Sequence, residues 1–73
     1  MAKKGGNAVY RVTQVIGTSS QSWEDAARSA VKTAAGTLRD LRIAEIEKLD
    51  VKIENGKVTQ FRARLALSFK YGG

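Results

Sequence analysis

The sequence predicts an α+β domain with the order β-α-β-β, in which a three-stranded antiparallel sheet curls against one long helix. Three observations lead to this fold class. Residues 9–16 are rich in β-branched side chains, residues 23–41 repeat apolar side chains with a helical period, and residues 58–71 alternate between apolar and polar side chains. A period of 3.6 residues indicates an amphipathic helix, whereas alternation indicates a half-buried strand. We therefore expect one helix packed on one sheet.

The first predicted strand runs from Val9 to Ile16. Most of its residues are β-branched or aromatic, and such side chains fit the pleated surface of a sheet. We expect Gly17 to end this strand, because glycine commonly interrupts regular structure.

A polar loop, residues 18–21, precedes the predicted helix, which runs to about Leu41. Ser22 is the expected N-cap, because its hydroxyl can accept a backbone N–H that the first turn leaves free. Glu24 and Asp25 place negative charge at the positive end of the helix dipole. We expect Trp23 to anchor the helix over the core or at a subunit contact. The apolar face consists of Trp23, Ala26, Ala27, Ala30, Val31, Ala34, Leu38 and Leu41.

The second and third predicted strands span Ile43–Ile53 and Val58–Tyr71. The third strand has one apolar side, which we expect to face the helix, and one polar side, which faces water or a second copy of the chain. The apolar side carries Phe61, Ala63, Leu65, Leu67, Phe69 and Tyr71, and the polar sides of the two strands carry Lys48, Asp50, Lys52, Gln60, Arg62 and Arg64.

The link between these strands contains an Asn-Gly pair at 55–56, which allows two registers. A two-residue loop would pair Leu49 with Arg62, placing an apolar side chain opposite a charged one. A three-residue loop, residues 54–56, with its glycine left-handed in a bulge, would pair Leu49 with Phe61. We predict the three-residue loop, because it keeps the apolar face continuous.

That register leaves Glu45 and Glu47 on the apolar side of the second strand. Either a β-bulge corrects the phase there, or this end of the strand meets a neighbouring subunit. The sequence leaves both alternatives open.

A chain of 73 residues is near the size at which a single core is barely sufficient. It contains no cysteine and no histidine, which excludes disulfides and zinc-finger spacing, so self-association is the remaining source of stability.

Residues 1–8 are a predicted flexible tail and residues 9–71 the predicted domain. The charged start has no apolar stretch behind it, and no apolar run approaches the length of a membrane span, about 20 residues. We expect a cytoplasmic homo-oligomer without a membrane partner.

The net charge is +6, from 13 Lys and Arg against 7 Asp and Glu. Nucleic acid, acidic lipid and anionic small molecules are the partners that a basic balance favours. The charges are dispersed, however, which is typical of a solvated surface. Phe61 and Phe69 share the face that the helix covers, so they are not expected to stack on bases. A basic nucleic-acid-binding module, with steeply salt-dependent affinity, is the third hypothesis for function.

Catalysis is not predicted, because the most common side-chain base and the thiol nucleophile are absent. Hydroxyl side chains at 18–22 resemble a phosphate cradle at a helix N-terminus, but the glycine spacing of phosphate-binding loops is missing, which favours a capping loop. Asp40, Glu45 and Glu47 offer oxygen ligands for a hard cation, although no EF-hand spacing occurs. A metal site shared between subunits would be invisible in the sequence.

Short stretches along the whole chain form a set that is similar to one known family. They are Tyr10-Arg11-Val12, Val15-Ile16-Gly17-Thr18-Ser19, Ser22-Trp23-Glu24-Asp25-Ala26-Ala27, Thr37-Leu38-Arg39-Asp40-Leu41-Arg42, Ala44-Glu45, Asn55-Gly56-Lys57 and Ser68-Phe69-Lys70. Together they resemble the dodecin family. The resemblance implies a sheet partly wrapped around its helix and a hollow, cubic homododecamer. In flavin-binding members it also implies non-covalent storage of FMN or riboflavin between subunits.

The chain departs from the family pattern at the flavin site. Flavin-binding members carry a stacking tryptophan just before the Ala-Glu pair and a hydrogen-bonding glutamine on the last strand, and the matching residues here are Ile43 and Arg62. Ile43 offers no aromatic face, and Arg62 donates hydrogen bonds but cannot accept them. The resemblance thus implies a degenerate flavin site lined by Ile43 and Arg62. Arg42 and Lys48 would lie nearby and attract an anionic group such as a phosphate.

An aliphatic residue and an arginine at these positions are similar to a second group of dodecins, lacking the tryptophan, for which calcium binding has been described in one branch. The alternative function is therefore a calcium-binding or purely structural dodecameric shell. In that shell Asp40, Glu45 and Glu47 would make intersubunit metal or ion-pair contacts.

Overall fold

The computed structural model describes residues 8–70 and confirms the predicted fold class. Its elements are β1 (Tyr10–Ser19), α1 (Trp23–Ala35), β2 (Leu41–Glu54) and β3 (Lys57–Lys70). The three strands form one antiparallel sheet in the order β1-β3-β2, so β3 is central and α1 covers one face. The predicted tail, except for residue 8, and the predicted end of the third strand at Tyr71 lie outside the described residues.

β1 continues through Gly17 to Ser19, so the predicted strand end at Gly17 is wrong. Gly17 pairs with Ala63 on β3 and faces the helix. A Cβ at this position would meet the carbonyl oxygen of Ala26 and would lie 2.8 Å from the Cβ of Ala30. Glycine is present here because helix and strand approach each other closely, not because the strand ends.

The loop before α1 caps the helix as predicted. Ser22 is the N-cap, and its hydroxyl accepts a hydrogen bond from the backbone N–H of Asp25 at 3.0 Å. The hydroxyl of Ser19 donates to the Asp25 carboxylate at 2.7 Å and accepts from the backbone N–H of Gln21 at 2.9 Å. These bonds satisfy groups at the helix start that would otherwise need water or a ligand, which agrees with the interpretation as a capping loop.

α1 ends at Ala35, so the predicted extension to about Leu41 is wrong. Gly36 caps the helix, and the backbone N–H of Leu38 donates to the carbonyl of Ala34 at 2.7 Å. Leu38 and Leu41 satisfied the helical period, but they pack on the core from the turn and from β2. Asp40 turns the chain with a φ of 58°, a left-handed conformation that aspartate tolerates better than most residues.

The β2–β3 hairpin has a two-residue loop, so the predicted three-residue loop and the pairing of Leu49 with Phe61 are wrong. Asn55 and Gly56 both have positive φ, 52° and 75°, as a type I′ turn requires. The register shifts next to Lys52, and Leu49 pairs with Ala63. This register shift has the effect that the predicted longer loop would have had: it keeps the apolar face of the two strands continuous.

Two further register shifts lie in β2, next to Arg42 and Glu47. The shift at Glu47 turns Ile46 toward the helix side, opposite Leu65, and leaves Glu45 opposite Ala66 on the other face. Of the two alternatives for this end of the strand, the β-bulge is therefore the one that the chain adopts.

The core between α1 and the sheet is small and rich in alanine. Its buried side chains are Ala26, Ala30 and Ala34 from the helix and Ala63, Leu65 and Leu67 from β3. The helix lies over β1 and β3 and scarcely contacts β2. Four apolar residues of the hairpin on the helix side are consequently about half to two-thirds exposed. We call them the β2 overhang: Ile46, Leu49, Ile53 and Val58.

Candidate functional site

The face of the sheet opposite the helix, which we call the outer face, carries an ion pair between Asp50 and Arg62. The two residues are cross-strand partners on β2 and β3. Arg62 Nε lies 2.8 Å from Asp50 Oδ1, and Arg62 Nη2 lies 3.3 Å from Asp50 Oδ2. Two parallel hydrogen bonds of this kind fix the guanidinium more firmly than a single contact.

The ion pair also favours the charged form of Arg62. Hydrogen bonding by Asp50, with the Coulombic attraction of its carboxylate, raises the pKa of Arg62 above its ordinary value. A guanidinium has five N–H donors and no acceptor. The donors that do not bond to Asp50 remain available to a ligand with carbonyl or ring-nitrogen acceptors.

Asp50 is also held through its backbone. The indole N–H of Trp23 donates to the carbonyl oxygen of Asp50 at 3.1 Å, and the Trp23 ring packs edge-on against Phe61, with centroids 5.2 Å apart at 75°. The first helical turn is thereby joined to both strands of the hairpin. These contacts tie Trp23 to the hairpin while the residue is 38% exposed, so an anchor over the core or at a subunit contact stays a prediction.

Ile43 and Arg62 lie on the outer face, but one chain does not bring them together. Ile43 is 60% exposed and pairs with Ser68, six residues from Arg62 along β3. A strand rises about 3.3 Å per residue, so the two positions are about 20 Å apart. A pocket lined by both must receive at least one of them from another copy.

The two basic residues predicted near the site lie between and beside these positions. Lys48 pairs with Arg64 in the middle of the outer face, so two cations stand opposite each other. Arg42 lies at a register shift of β2 and lines a small cavity of about 200 Å³. The other residues lining this cavity are Val31, Leu41, Ile43, Ala44 and Leu67.

The three predicted metal ligands do not form a cluster within one chain. Asp40 lies in the turn before β2, and its carbonyl accepts from the backbone N–H of Lys70 at 3.3 Å. Glu45 pairs with Ala66, while Glu47 accepts a hydrogen bond from the Gln14 amide at 2.9 Å. Residues 8–70 contain no group of three or more acidic side chains that could hold a metal ion.

Sequence reasoning missed two features. Asp50 was predicted only as part of the polar surface, because its partner depends on the register shift next to Lys52. The second feature is an open groove of about 630 Å³ between β1 and α1, whose lining includes Gly17 and Ala30. Its walls include the hydroxyl residues Thr13, Ser29 and Thr33. Hydroxyl side chains at helical spacing were the signal for it.

The fold and the outer face define a class of small α+β domains, in which one helix covers part of a three-stranded sheet and the candidate site is incomplete in a single chain. The family model for dodecins matches residues 9–72 of this sequence. The chain belongs to the dodecin family. Within the described residues, no helix is both long and apolar enough to cross a membrane.

Individual relatives agree with this assignment. The calcium dodecin of Mycobacterium tuberculosis is 42% identical over 64 residues, which are 86% of this chain and 89% of that protein. A crystal structure of that protein, described as calcium chelating, has a TM-score of 0.77 at 41% identity and covers 86% of this chain and 90% of its own. The dodecin of Streptomyces coelicolor has a TM-score of 0.86 at 38% identity, covering 94% of this chain and 99% of its own.

Proposed function

We propose that this protein is a non-enzymatic, cytoplasmic homododecamer that binds and buffers a small ligand at sites shared between subunits. The β2 overhang is the observation that supports assembly, because its four apolar side chains are about half to two-thirds exposed on a small domain. A contiguous apolar strip of this kind marks an interface more often than a solvated surface. A core of mostly alanine side chains also leaves the single chain in need of further burial.

Flavin, as FMN or riboflavin, is the ligand that family membership favours, and Ile43 and Arg62 would line its pocket. Ring stacking on an aromatic side chain contributes roughly 1–3 kcal/mol. Its loss at Ile43 weakens binding by about tenfold to a hundredfold. Arg62 can still donate to ring acceptors, and Arg42 and Lys48 would attract an anionic group such as a phosphate.

The test restores the family pattern with the double variant Ile43→Trp, Arg62→Gln. We expect its flavin affinity, measured by quenching of flavin fluorescence on titration, to rise by about tenfold to a hundredfold, because a stacking ring and a two-way hydrogen-bonding amide return. The matched control, Ile43→Leu with Arg62→Gln, restores the amide without the ring. No gain in the tryptophan variant would mean that the pocket lies elsewhere.

Calcium is the second candidate ligand, and the relative that is 42% identical and named for calcium favours it. Asp40, Glu45 and Glu47 would then contribute carboxylates from different subunits to shared sites. Binding to the folded state alone raises stability with ligand concentration, so calcium should raise the melting temperature and chelation should lower it. If neither calcium nor chelation changes the melting temperature or the assembly state, the result supports a purely structural shell with these residues in ion-pair contacts.

A further inference from the structure

Asp50 occupies one particular edge of the Arg62 side chain. Its two carboxylate oxygens bond to Nε and Nη2 of the guanidinium, at 2.8 Å and 3.3 Å. This edge is one of the two with which arginine recognises carboxylates and phosphates bidentately, and the Asp50 charge offsets that of the guanidinium. An anionic ligand that sought the same geometry would have to displace Asp50.

The backbone of Asp50 is held in place beside Arg62. Its backbone carbonyl accepts the indole N–H of Trp23 at 3.1 Å, and its neighbour Val51 pairs with Phe61, against which the Trp23 ring packs. From this backbone position the carboxylate bonds to Arg62, and the guanidinium presents its remaining N–H groups.

We propose that Asp50 determines the ligand specificity of the site, by making Arg62 a donor for uncharged acceptors and excluding anionic groups from it. This inference deepens the proposed function and rests on it for the place of Arg62 in the pocket. Asp50 is a positioning residue, since it acts through Arg62. The next pair along the outer face is Lys48 and Arg64, so removing the Asp50 charge leaves three cations in succession.

The experiment compares Asp50→Asn with the unmodified protein, using riboflavin, FMN and pyrophosphate as probes. Riboflavin and FMN differ by one phosphate group, so the ratio of their dissociation constants isolates the preference for an anion. We expect Asp50→Asn to shift this ratio toward FMN by about tenfold, because the bidentate edge of Arg62 becomes available to phosphate. We also expect pyrophosphate to bind this variant and not the unmodified protein, measured by calorimetry.

Controls separate this role from a structural one. Glu54→Gln removes the acidic partner of Lys52, a second exposed ion pair with a 3.6 Å contact, and should leave both readouts unchanged. Asp50→Glu keeps the charge and should restore the original ratio. Adding Arg62→Gln to Asp50→Asn should abolish the pyrophosphate binding that the single variant gains.

An unchanged ratio in Asp50→Asn would overturn the inference, because Asp50 would then have no effect on the preference for an anion. An equal shift in Glu54→Gln would also overturn it, because general electrostatics would then explain the result. If no variant binds either flavin, the proposed flavin function fails, and pyrophosphate binding alone then tests whether Asp50 excludes anions from Arg62. Binding gained in Asp50→Asn and lost with Arg62→Gln then supports the inference, whereas no binding in Asp50→Asn overturns it.

Discussion

Single residues determine how closely the helix of this dodecin approaches its sheet. Gly17 is the clearest case, because its missing side chain lets β1 touch the backbone of Ala26. The sequence drew attention to this glycine, but its neighbours along the chain suggested a strand end. Only the packing of α1 against β1 reveals that the glycine serves a tertiary contact, and such a contact has no local signal.

The substitution Gly17→Ala tests this contact. The added methyl group would meet the Ala26 carbonyl and lie 2.8 Å from Ala30 Cβ, so helix and strand must separate. We expect a loss of about 3 kcal/mol in the free energy of unfolding, measured by denaturant titration. Gly36→Ala is the control, since Gly36 has a φ of −70° and the Thr33 carbonyl oxygen lies 3.3 Å from the added Cβ. Equal losses in the two variants would contradict the close-contact argument.

Local elements were predictable where the chemistry is local. The cap at Ser22, the alternation of β3 and the order of the elements all follow from residues close in sequence. The end of α1 could not be predicted in this way, because Leu38 continues the helical period although it packs on the core from the following turn. The prediction of the hairpin register was also wrong, since a two-residue loop with a register shift and a three-residue loop can both keep the apolar face continuous.

The N-cap gives a test at the scale of the helix. Ser22→Ala removes the acceptor for the Asp25 N–H and should cost about 1 kcal/mol of stability. Ser20→Ala, in the same loop, is the matched control, because Ser20 is exposed and precedes the cap. Thermal melting followed by circular dichroism compares the two variants. A larger loss at Ser20 would show that the loop, rather than the cap, holds the helix start.

At the scale of the whole molecule, the candidate site could not be predicted completely from one chain. Family resemblance directed attention to Ile43 and Arg62, yet register places them about 20 Å apart on the outer face. The three acidic candidates are likewise dispersed within the described chain. Contacts between copies leave little trace in one sequence, because the residues that meet belong to different molecules.

The β2 overhang gives the corresponding test of assembly. Leu49 is 49% exposed, and Leu49→Lys places a charge in the strip that we expect to be buried between copies. In a native mass spectrum, the unmodified protein should appear as a dodecamer and this variant mainly as smaller species. Gln21→Lys adds the same charge at an exposed loop position and should leave the dodecamer intact. A monomeric unmodified protein, or a dodecameric Leu49→Lys, would refute this role for the overhang.

The contact between Trp23 and the hairpin has a consequence for spectroscopy. Trp23 is the only tryptophan in the sequence, and it is fixed by its bond to Asp50 and its packing on Phe61. Its emission therefore comes from one known location, the junction between the helix and the β2–β3 hairpin. Indole emission overlaps flavin absorption, so a bound flavin would diminish it by energy transfer, whereas loosening of the helix would shift its wavelength. The protein thus carries an intrinsic optical reporter that distinguishes occupancy from unfolding without an added label.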